Sequence, residues 1–551
     1  MRNPRPDSQD RGPNAIDNAK RQTVLAASLT GLGLMTGMND GALAASSDHL
    51  LGPGAPVRGG TLTRRIAGDP PSFDTIGSTA GWSLYIAGPC YNGLVRYDEF
   101  DADKVIPDLA ESHEVSADGK AYTFYLRKGV RFHDGRPCTA EDVKYTFDVI
   151  RDPPKGIVSA RANLLDAVES IVVVDPTTVR FQLKRKSPSL ITSLAGGWMV
   201  VLPKHILEKG VMKDSIVGTG PFKFKEYKRG VSVELVRNAE YHIPNRPFLE
   251  AVKFFIIPDE NTAYGYFRTG QIDEWVPPAL LAQTREKELA GRAYLQSTHS
   301  TSSVGLHFNT QLKPFDDIRV RQAFCLAINR QQSLDIAFNG QGVTAGYSMP
   351  GKWALSSAEL ARIPGYAPFK DTHIAQAKAL LAAAGFPNGF SETMLVRRIA
   401  IYEPHAVYLK DQLSKIGVDI KLDMQETATY NETLRKRQWK LDAGGISFVI
   451  NDPDATFADS VSCDGISNFS KLCDAKTDDL VLRQSQEMDV KKRLALVNEL
   501  EFKTLSQYGT YMMYFRKRFR MYQNNVHGWA LHPNEDNVMR LEDCWKSRTR
   551  A

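Results

Sequence analysis

The stretch that decides the fold is VIPDLAESHEVSADGKAYTFYLRKGVRFHDGRPCTAEDV, residues 105–143. Within it, residues 121–127 carry β-branched and aromatic side chains in alternation and then meet a Lys-Gly pair, which predicts a strand entering a turn. Thr139 precedes two acidic residues, and Val143 and Phe147 follow at helical spacing, which predicts an N-cap and a helix. A strand followed so closely by a helix indicates an α/β protein.

Strand and helix signals alternate along the rest of the chain. The further predicted strands are 170–174, 178–183 and 232–236, and the further predicted helices begin near Asp317 or cover 373–384 and 401–416. No internal repeat and no low-complexity linker divides the chain. Two α/β lobes in close contact therefore fit the pattern better than a string of separate domains.

Composition and charge exclude several classes of protein. Hydrophobic residues make up 42% and charged residues 24% of the 551 residues, which is typical of a globular protein and not of a disordered one. The net charge of +6 is spread over the whole chain, so no basic patch indicates nucleic-acid binding. No apolar run reaches the roughly 18 residues of a membrane span, so the protein is not expected to be an integral transporter.

Residues 1–44 predict an export signal that is cleaved near Ala44. Lys20-Arg21 precedes the mostly apolar residues 23–38, and a small-x-small site follows at residues 42–44. The alternatives are a disordered tail or a membrane anchor, although the glycines of this segment make a poor anchoring helix. The long polar start resembles a twin-arginine signal in which Lys20 replaces the first arginine, so both that route and the general export route stay open.

Six cysteines in an exported protein can form disulfides, but their number alone does not give the connectivity. Cys463 and Cys473 enclose a short loop and are the predicted pair; the alternative is two nearby free thiols. No Cys-x2-Cys pair and no histidine pair stands at ligand spacing, so no metal site is predicted.

Several ordered motifs carry a resemblance to a known family. Besides the stretch quoted above they are Tyr91–Val95, Gly218–Phe222, Arg237-Asn238, Phe308–Thr310 and Pro314–Ala323. With these motifs the chain resembles, over nearly all its mature length, the family 5 periplasmic solute-binding proteins of ABC importers, the dipeptide- and oligopeptide-binding group.

The resemblance implies a two-lobed periplasmic-binding-protein clamp, type II-like and of cluster C, with mixed β-sheets flanked by helices. The larger lobe would take residues 45–300 and 515–551 and the smaller lobe residues 301–514, so that two chain crossings form a hinge. It also implies a monomer in the periplasm that uses no cofactor. Its partners would be a small organic solute, an ABC permease and the ATPase of that complex, with no nucleic acid.

Motifs that suggest catalysis have simpler explanations as turns. His133-Asp134-Gly135 stands between a predicted strand and a capped helix, where Asp-Gly favours a turn. Gly218–Phe222 lacks the Lys-Ser/Thr of a phosphate-binding loop. No Gly-x-Ser-x-Gly elbow is present. The sequence therefore predicts a binding protein and not an enzyme; a secreted hydrolase is the alternative from a different class.

The residues that would hold the ammonium group of a peptide depart from the family pattern. Peptide-binding relatives place an Asp three residues before an Asp-Pro pair, and here Val449 stands at that distance from Asp452-Pro453. A buried ammonium group that faces valine would lose its charge partner. A register change of one or two residues would bring Asn451 or Asp452 into the role. A peptide is the leading solute, and an opine-like conjugate or a short sugar is the alternative.

Other candidate ligand contacts are arginines and aromatic residues. Some relatives place an Arg in the strand-to-helix loop that here carries Arg397 and Arg398, and a guanidinium can hold a carboxylate in two hydrogen bonds. Trp82, Trp198 and Phe448 are candidates for the aromatic wall of an enclosed site. The alternatives are solvated surface arginines and aromatic residues packed in the core.

Overall fold

The computed structural model describes residue 52 and residues 54–210, 212–448, 450–537 and 539–548. The predicted export signal and its cleavage site near Ala44 lie outside these residues. In the described ranges, no helix is both long enough and apolar enough to cross a lipid bilayer.

The quoted stretch folds as its residue pattern predicts. Its central strand, Ala121–Leu126, buries every second side chain, and the helix that follows is Ala140–Arg151. The Asp142 carboxylate accepts hydrogen bonds from the backbone N–H and the hydroxyl of Thr139, at 2.9 and 3.0 Å. The backbone N–H of Thr139 has no partner within the helix, and this contact supplies one. The contact therefore marks where the helix begins.

The other predicted elements are confirmed close to their expected bounds. The helices are α1 (Gly81–Ala87), α2 (Ala140–Arg151), α3 (Leu190–Leu194), α4 (Lys204–Leu207), α5 (Glu260–Arg268), α6 (Ala282–Glu288), α7 (Ile318–Ala327), α8 (Arg330–Phe338), α9 (Ser357–Leu360), α10 (Thr372–Ala383), α11 (Glu403–Ser414), α12 (Thr427–Lys436), α13 (Pro453–Ser460), α14 (Ala475–Gln486) and α15 (Val490–Ser506). The strands are β1 (Thr61–Ile66), β2 (Val95–Tyr97), β3 (Val105–Pro107), β4 (Ala110–Val115), β5 (Ala121–Leu126), β6 (Val168–Asp175), β7 (Thr178–Leu183), β8 (Phe222–Lys228), β9 (Ser232–Arg237), β10 (Ala251–Ile256), β11 (Glu274–Trp275), β12 (Ala293–Phe308), β13 (Gly342–Thr344), β14 (Phe390–Arg397), β15 (Val418–Gln425), β16 (Leu441–Ala443), β17 (Thr510–Gln523), β18 (Val526–His527) and β19 (Trp545–Lys546).

The larger sheets combine parallel and antiparallel strands. One has the order β1-β10-β9-β8, with β1 and β10 parallel. A second, wholly antiparallel, has the order β4-β5-β7-β6. The largest has the order β11-β17-β12-β16-β14-β15, in which β14 runs parallel to β15 and to β16, and β13 pairs with β17.

Two groups of buried side chains form the main hydrophobic cores. The first core draws on residues between Leu62 and Tyr294 and, near the end of the chain, between Tyr522 and Cys544. The second core draws on residues between Val304 and Phe515. The division falls near residues 300 and 515, where the family resemblance implies the lobe boundaries; the boundaries themselves stay a prediction.

One pair of long antiparallel strands, β12 and β17, connects the two cores. Tyr294 and Tyr522 stack on each other in the first core, whereas Phe308 and Phe515, nearer the other end of the pair, lie in the second. The register is irregular between His299 and Ser303. Such an irregularity bends a strand pair locally, so the chain crosses between the cores at a bent ribbon.

A disulfide closes the loop that the cysteine spacing indicates. Cys463 and Cys473 are bonded, with 10 residues of sequence separation, between α13 and α14. The other four cysteines are free thiols, three of them buried. Burial raises the pKa of Cys90 and of Cys138, which keeps both in the unreactive thiol form.

Removing this disulfide is expected to lower the free energy of unfolding by about 2–3 kcal/mol, because the closed loop restricts the unfolded chain. The test is urea unfolding of the Cys463→Ser/Cys473→Ser double variant beside the wild type. A reductant should bring the wild type to the stability of the double variant and leave the variant unchanged. Equal stability of the wild type and the double variant in the absence of reductant would contradict the prediction.

Candidate functional site

Trp198 is the candidate aromatic residue with the most polar surroundings. Its indole N–H donates to the Asp536 carboxylate at 3.0 Å, and the Arg161 guanidinium lies 4.0 Å from the centre of its ring. The indole is 5% exposed. Burial raises the pKa of Asp536, against the Trp198 hydrogen bond and the charges of Arg518 and Arg161. The group thus combines an aromatic face with a carboxylate and two cations.

Gly197 allows this contact because it has no side chain. A Cβ at this position would lie 1.5 Å from the backbone oxygen of Asp536, a distance that no packing can accommodate. Its backbone N–H also donates to the Asn537 amide oxygen at 3.1 Å. The end of the chain is thereby held directly against the segment that carries Trp198.

Trp82 has a different environment. It is partly buried, packs against the first core and meets Tyr85 edge to face at 5.4 Å. These are the contacts of a ring that helps to fill a hydrophobic core.

The segment that follows β16 runs beside the crossing strand β12. The Phe448 backbone N–H donates to the Thr301 oxygen, and Ser447 forms a β-bridge with Ser302. The Phe448 ring is 6% exposed and packs 6.3 Å from Phe515 in the second core. Val449, the next residue, lies outside the described ranges.

Asn451 connects the two halves of the molecule. Its amide donates to the Asp103 carboxylate at 3.1 Å, and Asp103 lies in the turn between β2 and β3. Burial raises the pKa of Asp103, and the Asn451 hydrogen bond opposes that rise.

Asp452 has protein partners for both oxygens of its carboxylate. It forms a two-point ion pair with Arg493, at 2.5 and 3.1 Å, and accepts the Asp454 backbone N–H as the N-cap of α13. The side chains of this ion pair are about 5% exposed. Asp454 in turn accepts a hydrogen bond of 2.7 Å from Ser189 at the start of α3. The α13 N-terminus therefore joins the two halves of the molecule.

Arg397 and Arg398 are adjacent in sequence but differ in environment. Arg398 is exposed and lies 3.7 Å from the Glu426 carboxylate. Arg397 is half-buried at the end of β14, and its Nε donates to the Thr427 hydroxyl at 3.0 Å. The two terminal nitrogens of Arg397 have no hydrogen-bond acceptor among the described residues.

Sequence reasoning missed Asp442, a fully buried carboxyl on β16. The Tyr430 hydroxyl lies 3.0 and 3.1 Å from its two oxygens, and burial raises its pKa to about 8 despite this hydrogen bond. A Cβ at Gly444 would lie 2.5 Å from one of these oxygens. The Asp442 carboxyl therefore lies against Gly444, at the start of the segment that leads to Phe448. An acidic residue within an apolar run was the available signal.

Arg516 on β17 was also missed. It is half-buried, and its side chain makes no hydrogen bond or ion pair with any residue that the structure describes. Burial lowers its pKa, as does the charge of Arg518, while Tyr402 raises it. The signal in the sequence was the basic run Arg516-Lys517-Arg518 inside a mostly apolar strand.

No group of three or more metal-ligating side chains occurs in the part of the chain that the structure describes. Around the crossing strands the chain instead assembles aromatic rings, amides and charged groups on both cores. Two cores that are joined by a bent strand pair and face each other across such groups define a two-lobed binding protein.

The chain belongs to the bacterial extracellular solute-binding proteins, family 5. The family model that matches it has the description "family 5 Middle" and covers residues 104–468 of this chain. This is a family of non-catalytic binding proteins. The sequence predicted a two-lobed α/β fold with mixed sheets and a resemblance to this family. Both predictions are confirmed.

Individual relatives match over most of their length. The oligopeptide-binding protein AppA of Bacillus subtilis (strain 168) is 27% identical over 92% of this chain and 95% of its own. The dipeptide-binding protein of Escherichia coli (strain K12) is 28% identical over 87% and 94%. The structure of AgaA from A. tumefaciens R10 in complex with agropinic acid has a TM-score of 0.75 at 27% identity, over 89% and 99%.

Proposed function

We propose that the protein is an exported periplasmic receptor that captures a small organic solute and presents it to an ABC permease with its ATPase. The observation that carries this proposal is the family match over residues 104–468. The receptor acts as a monomer and performs no covalent step. Export depends on the signal predicted in residues 1–44, by either of the two routes.

The solute is enclosed by closure of two lobes about the β12–β17 ribbon. The irregular register between His299 and Ser303 gives the ribbon a place to bend. Polar contacts between the lobes, from Asn451 to Asp103 and from Ser189 to Asp454, stabilise the closed form. Each is a single hydrogen bond to a carboxyl group and contributes about 1.5–3 kcal/mol, so the closed form can open again and release its solute.

Two classes of solute fit the observations. A peptide is the first, because two relatives are named for dipeptide or oligopeptide binding. An opine-like conjugate is the second, because the similar structure of AgaA was determined in complex with agropinic acid. In addition, the Val449 side chain has no charge that could pair with the ammonium group of a peptide.

The proposed ligand contacts are Trp198, Phe448, Asn451 and Arg397. Trp198 and Phe448 supply aromatic surface, Asn451 supplies an amide, and Arg397 supplies a cation. The remaining candidates are not included in the proposed site. Trp82 packs against the first core, Arg398 lies exposed beside Glu426, and both oxygens of the Asp452 carboxylate are held by Arg493 and the start of α13.

Native mass spectrometry of protein purified from the periplasm tests this function. We expect one retained solute per chain, which unfolding releases and which rebinds unchanged to the refolded protein. Dipeptides and agropinic acid are titrated in parallel, with a Trp198→Phe variant and the matched Trp82→Phe control. Weaker binding is expected for Trp198→Phe alone. Conversion of the solute to a product, or no retained solute together with no binding of either probe class, would overturn the proposal.

A further inference from the structure

The segment that carries Trp198 lies where the two halves of the molecule meet. A Cβ at Gly196 would lie 4.0 Å from the Ile450 side chain, which belongs to the segment after β16. Ile450 is buried and stands in the chain between Phe448 and Asn451, two of the proposed ligand contacts. The direction of the Trp198 indole therefore decides part of the surface that the larger lobe offers to a solute.

The backbone of this segment is fixed, so the position of the indole depends on the side-chain torsions of Trp198. The Met199 N–H donates to the Gly196 backbone oxygen at 2.8 Å and closes a tight turn around Trp198. The Gly197 N–H donates to the Asn537 side chain at 3.1 Å. On such a backbone each rotamer of the tryptophan would aim the ring in a different direction.

Two side chains from distant parts of the chain select one orientation of the indole. The Asp536 carboxylate accepts the indole N–H at 3.0 Å, and the Arg161 guanidinium covers one face of the ring at 4.0 Å. Arg161 is itself held by the backbone oxygens of Ile76 and Ser78, at 2.9 and 2.6 Å. Because a hydrogen bond requires a nearly linear N–H···O angle, Asp536 fixes where the edge of the ring points.

Asp536 belongs to a segment near the end of the chain that is anchored on the larger lobe. Four residues further along, Arg540 forms a buried ion pair with Asp108, and Glu542 pairs with Arg96 at 2.8 Å. None of these four side chains is more than 9% exposed. A carboxylate on such a segment keeps its place, as a group that orients another side chain must.

We propose that Asp536 is a positioning residue of the solute site: it accepts the indole N–H and so holds Trp198 in the orientation that contacts the solute. This inference rests on the proposed receptor function and on Trp198 as one of its ligand contacts. It adds the C-terminal segment to the site, and Asp536 itself does not touch the solute. A ring that is held in its bound orientation loses less conformational entropy on binding, which raises the affinity.

A second pair of the same kind provides the matched control. The Trp275 indole N–H donates to the Glu260 carboxylate at 2.7 Å, and Glu260 also pairs with Arg65 at 2.8 Å. Trp275 packs with Phe267 in a smaller group of buried residues, outside the two main cores. Removing either carboxylate deletes one indole hydrogen bond, but only Asp536 holds an indole of the proposed site.

Binding is compared by titration of dipeptides and agropinic acid and by the fraction of solute that each purified variant retains. Asp536→Leu removes the acceptor at similar size and should bind at least about tenfold more weakly than the wild type, because Trp198 loses a hydrogen bond to a charged group. Asp536→Asn keeps an acceptor oxygen without the charge and should fall in between. Glu260→Leu should lower the melting temperature but bind within about twofold of the wild type.

The indole N–H resonance of Trp198 reports the position of the ring directly. The chain has seven tryptophans, and the Trp198 signal in a proton–nitrogen correlation spectrum is the one that Trp198→Phe removes. Asp536→Leu should shift this signal upfield and speed its exchange with deuterium, because the N–H loses its acceptor. Glu260→Leu should move the Trp275 signal and leave the Trp198 signal in place.

Unchanged affinity in Asp536→Leu, while Trp198→Phe binds more weakly, would overturn the positioning role and leave the receptor function standing. Equal losses of affinity in Asp536→Leu and Glu260→Leu would also overturn it, because both substitutions would then act through stability alone. An unshifted Trp198 signal in Asp536→Leu has the same consequence. If the wild type binds neither probe class and retains no solute, the receptor proposal fails, and the positioning role fails with it.

Discussion

Replacing Arg493 with methionine is expected to lower the free energy of unfolding by about 3–5 kcal/mol, the usual cost of removing one partner from a buried ion pair. The substitution leaves the Asp452 carboxylate buried without its two-point partner. Burial raises the pKa of the nearby Asp454 and the charge of Asp452 raises it further, so two buried carboxyl groups would then lie together without the arginine. Urea unfolding at pH 7 measures the loss.

An exposed pair on the adjacent helix provides the control. Arg483 and Asp479 are four residues apart on α14 and both are more than half exposed. Arg483→Met should cost no more than about 0.5 kcal/mol, because water screens such pairs. Adding Asp452→Asn to Arg493→Met should recover part of the loss, since it removes the isolated charge. Similar effects of the two arginine substitutions would contradict a structural role for the Asp452–Arg493 pair.

Replacing Asp442 with asparagine is expected to change how stability depends on pH. The folded pKa of Asp442, about 8, lies above the ordinary value of 3.8 that applies to the unfolded chain. Between these two pH values the folded protein holds a proton that the unfolded chain has released. The wild-type protein should therefore lose stability as pH rises through this range, by up to about 1.4 kcal/mol per pH unit for this group. The amide that Asp442→Asn introduces cannot titrate, so the variant should lack this slope.

Urea unfolding at pH 5, 6, 7 and 8 measures the difference between wild type and Asp442→Asn. The difference is the informative quantity, because burial also raises the pKa of Glu501, to about 7, and this second slope is common to both proteins. Asp479→Asn, at an exposed position, is the control and should leave the pH dependence of the wild type unchanged. Parallel stability curves for wild type and Asp442→Asn would contradict a neutral buried Asp442.

Local patterns in the sequence predicted the elements that depend on neighbouring residues. The alternation in residues 121–127 predicted β5, and Thr139 with its acidic followers predicted the start of α2. The short loop between Cys463 and Cys473 indicated the pair that is bonded in the structure. In each case the interacting residues are few positions apart, so their spacing alone carries the information.

Charge partners that are distant in sequence could not be predicted in this way. Asp452 resembled a ligand carboxylate, but its partner Arg493 lies 41 residues further along the chain. Asp536 and Trp198 are 338 residues apart, and only the close approach at Gly197 brings them together. Whether a charged side chain is satisfied depends on such contacts, which a residue pattern does not encode.

By itself, the sequence determined the family, the α/β class and those helices and strands that have a clear local pattern, because these follow from residue periodicity and ordered motifs. Only the tertiary structure decided which candidate residues have partners in the protein and which do not. It paired Asp452 and Arg398 with other side chains and left Arg516 without an acceptor among the described residues. The physical reason is that burial and charge balance are set by elements that meet in space from opposite ends of the chain.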